Sequence, residues 1–278
     1  MTHAGRARGR GFDRRAVRSS VIALVSTVVV FGALIWIVTN APGWPDVQAS
    51  FLDPEVFADA LPALIRAFAV NIQLFVTAEI LVLIFGLLLA ILRSLEGPVF
   101  FPLRVLATVY TDVFRALPGV LVIFVLGFGI PGLGLVDPTT SPVVFGVLGL
   151  TLIYSAYVSE VYRAGIESIH PSQDAAARSL GLSRWQSLRH VIIPQAVRRV
   201  VPPILNDFIG LQKDTVLVSF IGAVEIFRTA QIKQAASFNF TPYLAVGLVF
   251  IVVTIPLTRL TDWLIARDRR RAAAGGSR

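Results

Sequence analysis

Long runs of apolar residues, almost free of charge, alternate along this chain with short polar segments. The runs have the length of a bilayer crossing. Val21–Val38 is unbroken over 18 residues, just enough helix to cross a hydrocarbon core. Five further runs follow at Ala67–Leu92, Val105–Ile130, Pro142–Val161, Val201–Val224 and Tyr243–Ile265. None shows the strict alternation of a membrane barrel, and lipid tolerates no unpaired backbone groups. The pattern therefore predicts an all-α fold, a polytopic bundle of about six transmembrane helices.

Composition agrees: 55% of the residues are hydrophobic, 15% are charged, and the mean hydropathy is +0.74. Soluble domains carry about 25% charged residues. A net charge of +8 suits nucleic acid only if the bases form a patch. Here they are arginines gathered at both termini and between the apolar runs, the pattern of membrane orientation. With six spans both termini share a side, and 20 of the 25 Lys and Arg residues fall there, leaving Arg66, Arg228 and Lys233 in the opposite loops. Both termini and the segment 164–200 are accordingly expected on the cytoplasmic side. The arginines ahead of Val21 also fit a secretory signal, but the run is long for one and "TNAPGWP" offers no clean cleavage site. The expected organisation is a basic tail at 1–20, a first helix and acidic outer loop at 21–65, a membrane core at 66–265 and a basic tail at 266–278. Within the outer loop, "FLDPEVFADALPALI" predicts a short interfacial helix, capped by Asp53 with Pro54 in its first turn.

Several chemistries are excluded. There is no cysteine, and the histidines His3, His170 and His190 all lie outside the spans. No H-E-x-x-H and no G-x-x-x-x-G-K-[ST] occurs, so the chain holds neither that zinc site nor a P-loop of its own. "GFGIPG" at Gly127–Gly132 matches G-x-G-x-x-G in letters only. It follows an apolar helix, contains proline, and reads as the turn into the second outer loop. "ALPGV" at Ala116–Val120 reads as a helix break. No catalytic residue and no metal ligand is expected.

The polar island "QDAAARSLGLSRWQSLRHVIIPQAVRRVVPP" (Gln173–Pro203) predicts two short helices. Ser172 caps the first, Asp174 and Arg178 complement its dipole, Gly181 supplies a tight turn and Ser183 caps the second. Pro194 and the pair Pro202-Pro203 turn the chain back to the membrane. Three consecutive alanines leave a thin face suited to insertion in a groove, although alanine is also simply the best helix former in a solvated connector. The island resembles the cytoplasmic signature loop of bacterial ABC-type importer permeases: Glu-Ala-Ala, three residues, Gly, nine residues, Ile-x-Leu-Pro. Ala175, Ala176 and Ala177 fall on Glu-Ala-Ala, Gly181 on the glycine, and Val191–Pro194 on the last group. Ala175 stands where the glutamate belongs, with Asp174 one residue earlier. "SIHPSQ", "VYTDVFRALPGVLV" and "VIIPQAVRRVVPPILNDFIGLQKDTVLVSFIGAVEI" are similar to further motifs of the polar amino-acid subfamily, with Asn206, Asp207, Lys213, Asp214, Thr215, Leu217, Gly222 and Glu225 in register. Residues 1–62 fall outside the resemblance.

The resemblance implies a translocation subunit rather than an enzyme. Its loop, residues 172–194, would dock on a separate cytosolic ATPase that holds ATP and Mg, through Gln173, Asp174, Ala175, Ala176, Ala177, Leu180, Gly181 and Pro194. It also implies a bacterial inner membrane, a second permease subunit and an extracytoplasmic substrate-binding protein. No nucleic acid is expected, and membrane lipid is. Ionisable residues inside spans are costly and mark pathways or pairs. Glu79, Asp112, Arg115, Asp207, Lys213 and Asp214 are the candidates, with Asn71, Gln73, Gln212 and Thr215 as hydrogen-bonding neighbours. A path with both signs suits an amino acid. Internal pairing of Lys213 with Asp207 or Asp214, and of Arg115 with Glu79 or Asp112, is the other reading. A permease for another small polar solute, or a membrane-anchored scaffold or receptor, is the alternative function.

Overall fold

A computed structural model describes residues 14–95, 97–134, 136–137 and 139–275. Arg6, Arg8, Arg10 and Arg278 of the expected basic tails lie outside the described residues. The chain divides into two compact units, Met1–Asp53 and Pro54–Arg278.

The first unit contains α1 (Arg14–Thr39) and α2 (Trp44–Phe51). From Arg18 onward α1 exposes its apolar side chains on every face, as a helix does when its solvent is lipid. Pro45 occupies the first turn of α2, where its missing N–H costs nothing.

The second unit opens with α3 (Pro54–Ser94), 41 residues long. The stretch expected as a separate interfacial helix is the start of α3, and Pro62 sits inside it without ending it. The reason is packing on both sides of the proline. Ala60 and Leu64 are fully buried against Ile226 and Ala230, which outweighs one lost backbone bond.

The expected span Val105–Ile130 does not run straight. It is α4 (Phe101–Ala116), then α5 (Gly119–Phe124), then a π-helical turn at Val125–Gly129 and α6 (Ile130–Gly132). The axis bends by 108° at Leu117–Pro118. Pro118 disfavours helical geometry at the residue before it, and Leu117 is extended, at φ −82° and ψ 139°. "GFGIPG" is helical to its last glycine, with the turn beginning at Leu133 and no strand before it.

After α7 (Pro142–Glu167) come α8 (Pro171–Ser179) and α9 (Arg184–Ser187), then a π-helical turn at Leu188–Ile192 that leads into α10 (Ile193–Asp214). Pro202 and Pro203 lie inside α10 rather than redirecting the chain. Two adjacent prolines weaken a single turn, and the buried Ala196, Val200 and Ile209 hold the helix on either side of it. A 3₁₀ stretch, Thr215–Ile221, ends at left-handed Gly222. The chain closes with α11 (Ile226–Ser237) and α12 (Thr241–Gly275).

Among the described residues four helical stretches are long and apolar enough to cross a membrane, or six if each of two bent pairs is one span. Two of the four are Arg18–Thr39 of α1 and Thr241–Arg267 of α12, and the other two include α3 and α7. No strand occurs among the described residues. The main core joins α3 (Leu74, Ala78, Val82), α5 (Ile123), α7 (Leu150, Val158) and α10 (Leu211). A smaller core joins the first half of α3 to α11 and α12.

Candidate functional site

The α8–α9 hairpin is built by short-range hydrogen bonds. His170 takes the capping position expected of Ser172: its Nδ1 accepts from the Ser172 amide at 3.2 Å, and lies 2.8 Å from the Ser172 hydroxyl. Pro171 pushes His170 into extended backbone, the geometry a cap needs, so the cap moves two residues upstream. At the other end Gly181 stands at φ +87°. Its amide bonds to the Arg178 carbonyl and the Leu182 amide to the Ala177 carbonyl, the paired closure of a Schellman motif. Ser183 then starts α9 with a capping box, exchanging bonds with Gln186.

Tertiary contacts lock the hairpin. The Ser187 hydroxyl donates to Asp174 at 2.5 Å and ties α9 to α8. Gln195 reaches Gln173 at 3.4 Å, and Arg199 donates to the Ser168 carbonyl. Ala177 is buried, while Ala175 and Ala176 face out. Beside them Leu180 is 84% exposed and Trp185 64%. Pro194 lies at the junction of the π turn with α10. Two large apolar side chains are thus exposed on an otherwise polar hairpin.

A second set of residues lies on α3, α7 and α10. Glu79 is buried on α3. Among the described residues it has no hydrogen bond and no ion pair, and the charge that acts on it is Asp207 of α10. Asp214 accepts from the Tyr154 hydroxyl at 2.8 Å. Lys213 is exposed and pairs with neither Asp207 nor Asp214 among the described residues. On a helix, adjacent residues point about 100° apart, which separates Lys213 from Asp214. Asp112 is exposed. Gln212 accepts from Thr254 through its Oε1 at 3.2 Å, and its buried Nε2 has no partner among the described residues.

Arg115 meets neither Glu79 nor Asp112. Its nearest carboxylate is Glu160 of α7, at 3.6 Å. Glu160 also takes Arg93 at 2.6 Å and Arg163 at 2.9 Å, and Arg163 takes Glu167 at 2.8 Å. Sequence reasoning missed Glu160, which sits at the end of its apolar run. Its signal was the Arg163 three residues on, where helical neighbours meet. Also missed was the role of Glu225, fully buried between the 3₁₀ stretch and α11. It caps α11 through the amides of Phe227 and Arg228, and accepts from Asn71 at 2.9 Å. Asn71 also donates to Thr215 at 3.0 Å and accepts from the Ile226 amide at 3.1 Å. One amide thus fastens α3 to both elements that follow α10.

The described residues thus form a polytopic bundle of long apolar helices, with a hydrogen-bonded hairpin between α7 and α10. The chain belongs to the family described as the inner membrane component of binding-protein-dependent transport systems, whose model matches residues 83–270. It is 35% identical over 214 residues to the probable amino-acid permease protein YxeN of Bacillus subtilis, covering 76% of this chain and 93% of that one. It is 32% identical to the glutamate/aspartate import permease protein GltK of Escherichia coli, covering 75% and 94%. Among solved structures, an amino acid ABC transporter with histidines superposes with a TM-score of 0.71 at 30% identity, over 77% of this chain and 98% of that chain. The MetNI methionine transporter shares the fold, at a TM-score of 0.59 and 16% identity over 73% and 95%.

Proposed function

We propose that this chain is the permease subunit of an ATP-driven importer for polar amino acids. The α8–α9 hairpin is its contact with a separate cytosolic ATPase. A second permease subunit, the same or homologous, completes the path, and an extracytoplasmic binding protein delivers the substrate. Both termini and the hairpin lie in the cytoplasm. The observation that carries this reading is the hairpin itself: a left-handed Gly181 after a three-alanine helix, with Leu180 turned outward. The names of its relatives support the amino-acid class.

Within the bundle, Glu79, Asp207 and Asp214 offer carboxylates to the ammonium of a passing amino acid. Glu79 is central because a buried carboxylate without a partner among the described residues costs several kcal/mol unless something cationic or water reaches it. The counter-ion reading loses its partner, since Arg115 is engaged by Glu160. Gln212, Thr215 and Lys213 lie at the end of the same helix, α10, or one residue beyond it. Lys213 is the cation suited to the substrate carboxylate.

The test is uptake by the complete transporter, purified with its ATPase and reconstituted with its binding protein. Glu79→Gln is expected to raise the half-saturating amino-acid concentration about tenfold, the size of a charged hydrogen bond, or to shift preference among acidic, neutral and basic substrates. The melting temperature should hold. Unchanged selectivity and half-saturation with a lower melting temperature would sink the pathway role. Failure of the chain to co-purify with any ATPase would sink the importer reading.

A further inference from the structure

One cavity, of about 500 Å³, lies away from the polar set on α3, α7 and α10. It is formed where the C-terminal ends of α3 and α7 meet α4. One side is basic: Arg93, Arg104 and Arg163. The other is Phe101, Val105 and Val109, all exposed on the outer face of α4. The charges around it do not balance. Arg93, Arg115 and Arg163 share Glu160, with Glu167 supplementing Arg163. Arg104 has no carboxylate among the described residues. It donates to the Leu95 carbonyl at 2.9 Å and lies over the Phe101 ring at 5.9 Å. Among the described residues four guanidiniums therefore stand against two carboxylates at this end of the bundle, and the neighbouring surface of α4 is apolar.

We infer that this cavity is a specific site for an anionic phospholipid, its phosphate held by Arg104 with Arg93 and Arg163, and its acyl chains lying along Phe101, Val105 and Val109. A planar guanidinium fork matches phosphate oxygens, and the basic rim continuous with an apolar face fits an amphiphile better than a free ion. The position gives the lipid a regulatory lever. Glu167 borders the cavity and lies four residues before α8, so an occupant that draws Arg163 away from Glu167 acts on the root of the coupling hairpin. The placement in the cytoplasmic leaflet rests on the orientation given above; the cavity and its charge do not.

The experiment uses the complete transporter in nanodiscs of phosphatidylcholine, with and without phosphatidylglycerol, and counts retained lipids by native mass spectrometry. Wild type is expected to retain phosphatidylglycerol in preference to phosphatidylcholine, and to show higher substrate-stimulated ATPase activity when it is present. Arg104→Gln should weaken that retention about fivefold, the effect of one guanidinium near a membrane surface, while Arg104→Lys, which keeps the charge and loses the fork, should give an intermediate loss. Equal retention of the two lipids by wild type would overturn the site, whatever the variants do. So would full retention by a folded Arg104→Gln protein. Displacement of the lipid by millimolar inorganic phosphate would assign the site to a free anion instead. Orientation is read separately. The sequence contains no cysteine, so a single Ser179→Cys can be tested with an impermeant maleimide on intact cells. Labelling from outside would overturn the leaflet assignment and leave the lipid counts standing.

Discussion

Gly181 stands at φ +87°, and a Cβ built there meets nothing within 4 Å. A side chain at this position strains the turn by about 1–2 kcal/mol but strikes nothing in the chain itself. It would project from the exposed surface beside Leu180. Gly181→Asp should therefore reach the membrane in near-normal amount, with a small loss of thermal stability, and fail in coupling. Binding-protein stimulation of the ATPase and amino-acid uptake should both fall at least tenfold. Wild-type values for both would remove the hairpin from the coupling path. Asn71 represents the opposite kind of residue: small, buried, and holding Thr215, Glu225 and the Ile226 amide at once. Its hydrogen-bonding capacity is used for architecture, where a satisfied network defines one arrangement of helices.

Among the helices, α7 is the axis against which others are placed, and glycine sets the distances. A Cβ on Gly165 would overlap the Cγ2 of Val200 on α10. A small residue lets two helix backbones approach closely, and here it fixes the spacing of α7 and α10. Gly165→Val should push α10 away from α7 and cost about 1–3 kcal/mol. Because the overlap is with one methyl group, Val200→Ala in the same protein should recover part of that loss. A double-mutant cycle on melting temperature checks it. Strict additivity of the two changes would show that the contact does not set the helix spacing. The 108° bend between α4 and α5 is likewise a local matter, dictated by Pro118 acting on Leu117.

For the molecule as a whole, the boundary that matters is Asp53. The second unit begins at Pro54, and the first turns of α3 already contribute. Ala60 belongs to the smaller core, and Asp59 pairs with Lys233 at 2.8 Å. Deleting residues 1–53 should leave substantial uptake in a chain that still inserts and assembles. Deleting residues 1–62 should lower stability, because it removes Ala60 and the Asp59 carboxylate. Complete loss of uptake in a correctly assembled protein lacking only 1–53 would make the first unit part of the pathway. Uptake by proteoliposomes, normalised to assembled complex, separates these outcomes.

What the sequence determined by itself is local in origin. Apolar run length marked the membrane helices, arginine placement their expected sidedness, and residue spacing the hairpin with its turn at Gly181 and cap at Ser183. Each depends on neighbours within a few positions, where propensity, capping and periodicity act. The bilayer strengthens this by forcing every apolar run into a helix. Tertiary structure decided the partners. Asn71 finds Thr215 and Glu225 across 144 and 154 residues, and Arg93 finds Glu160 across 67. Arg115 and Lys213 did not take the carboxylates nearest in expectation, because helix direction separates sequence neighbours and helix packing joins distant ones. The continuity of α3 through Pro62 and of α10 through Pro202 and Pro203 was settled in the same way: local sequence favours a break, and the helices packed on either side hold it closed.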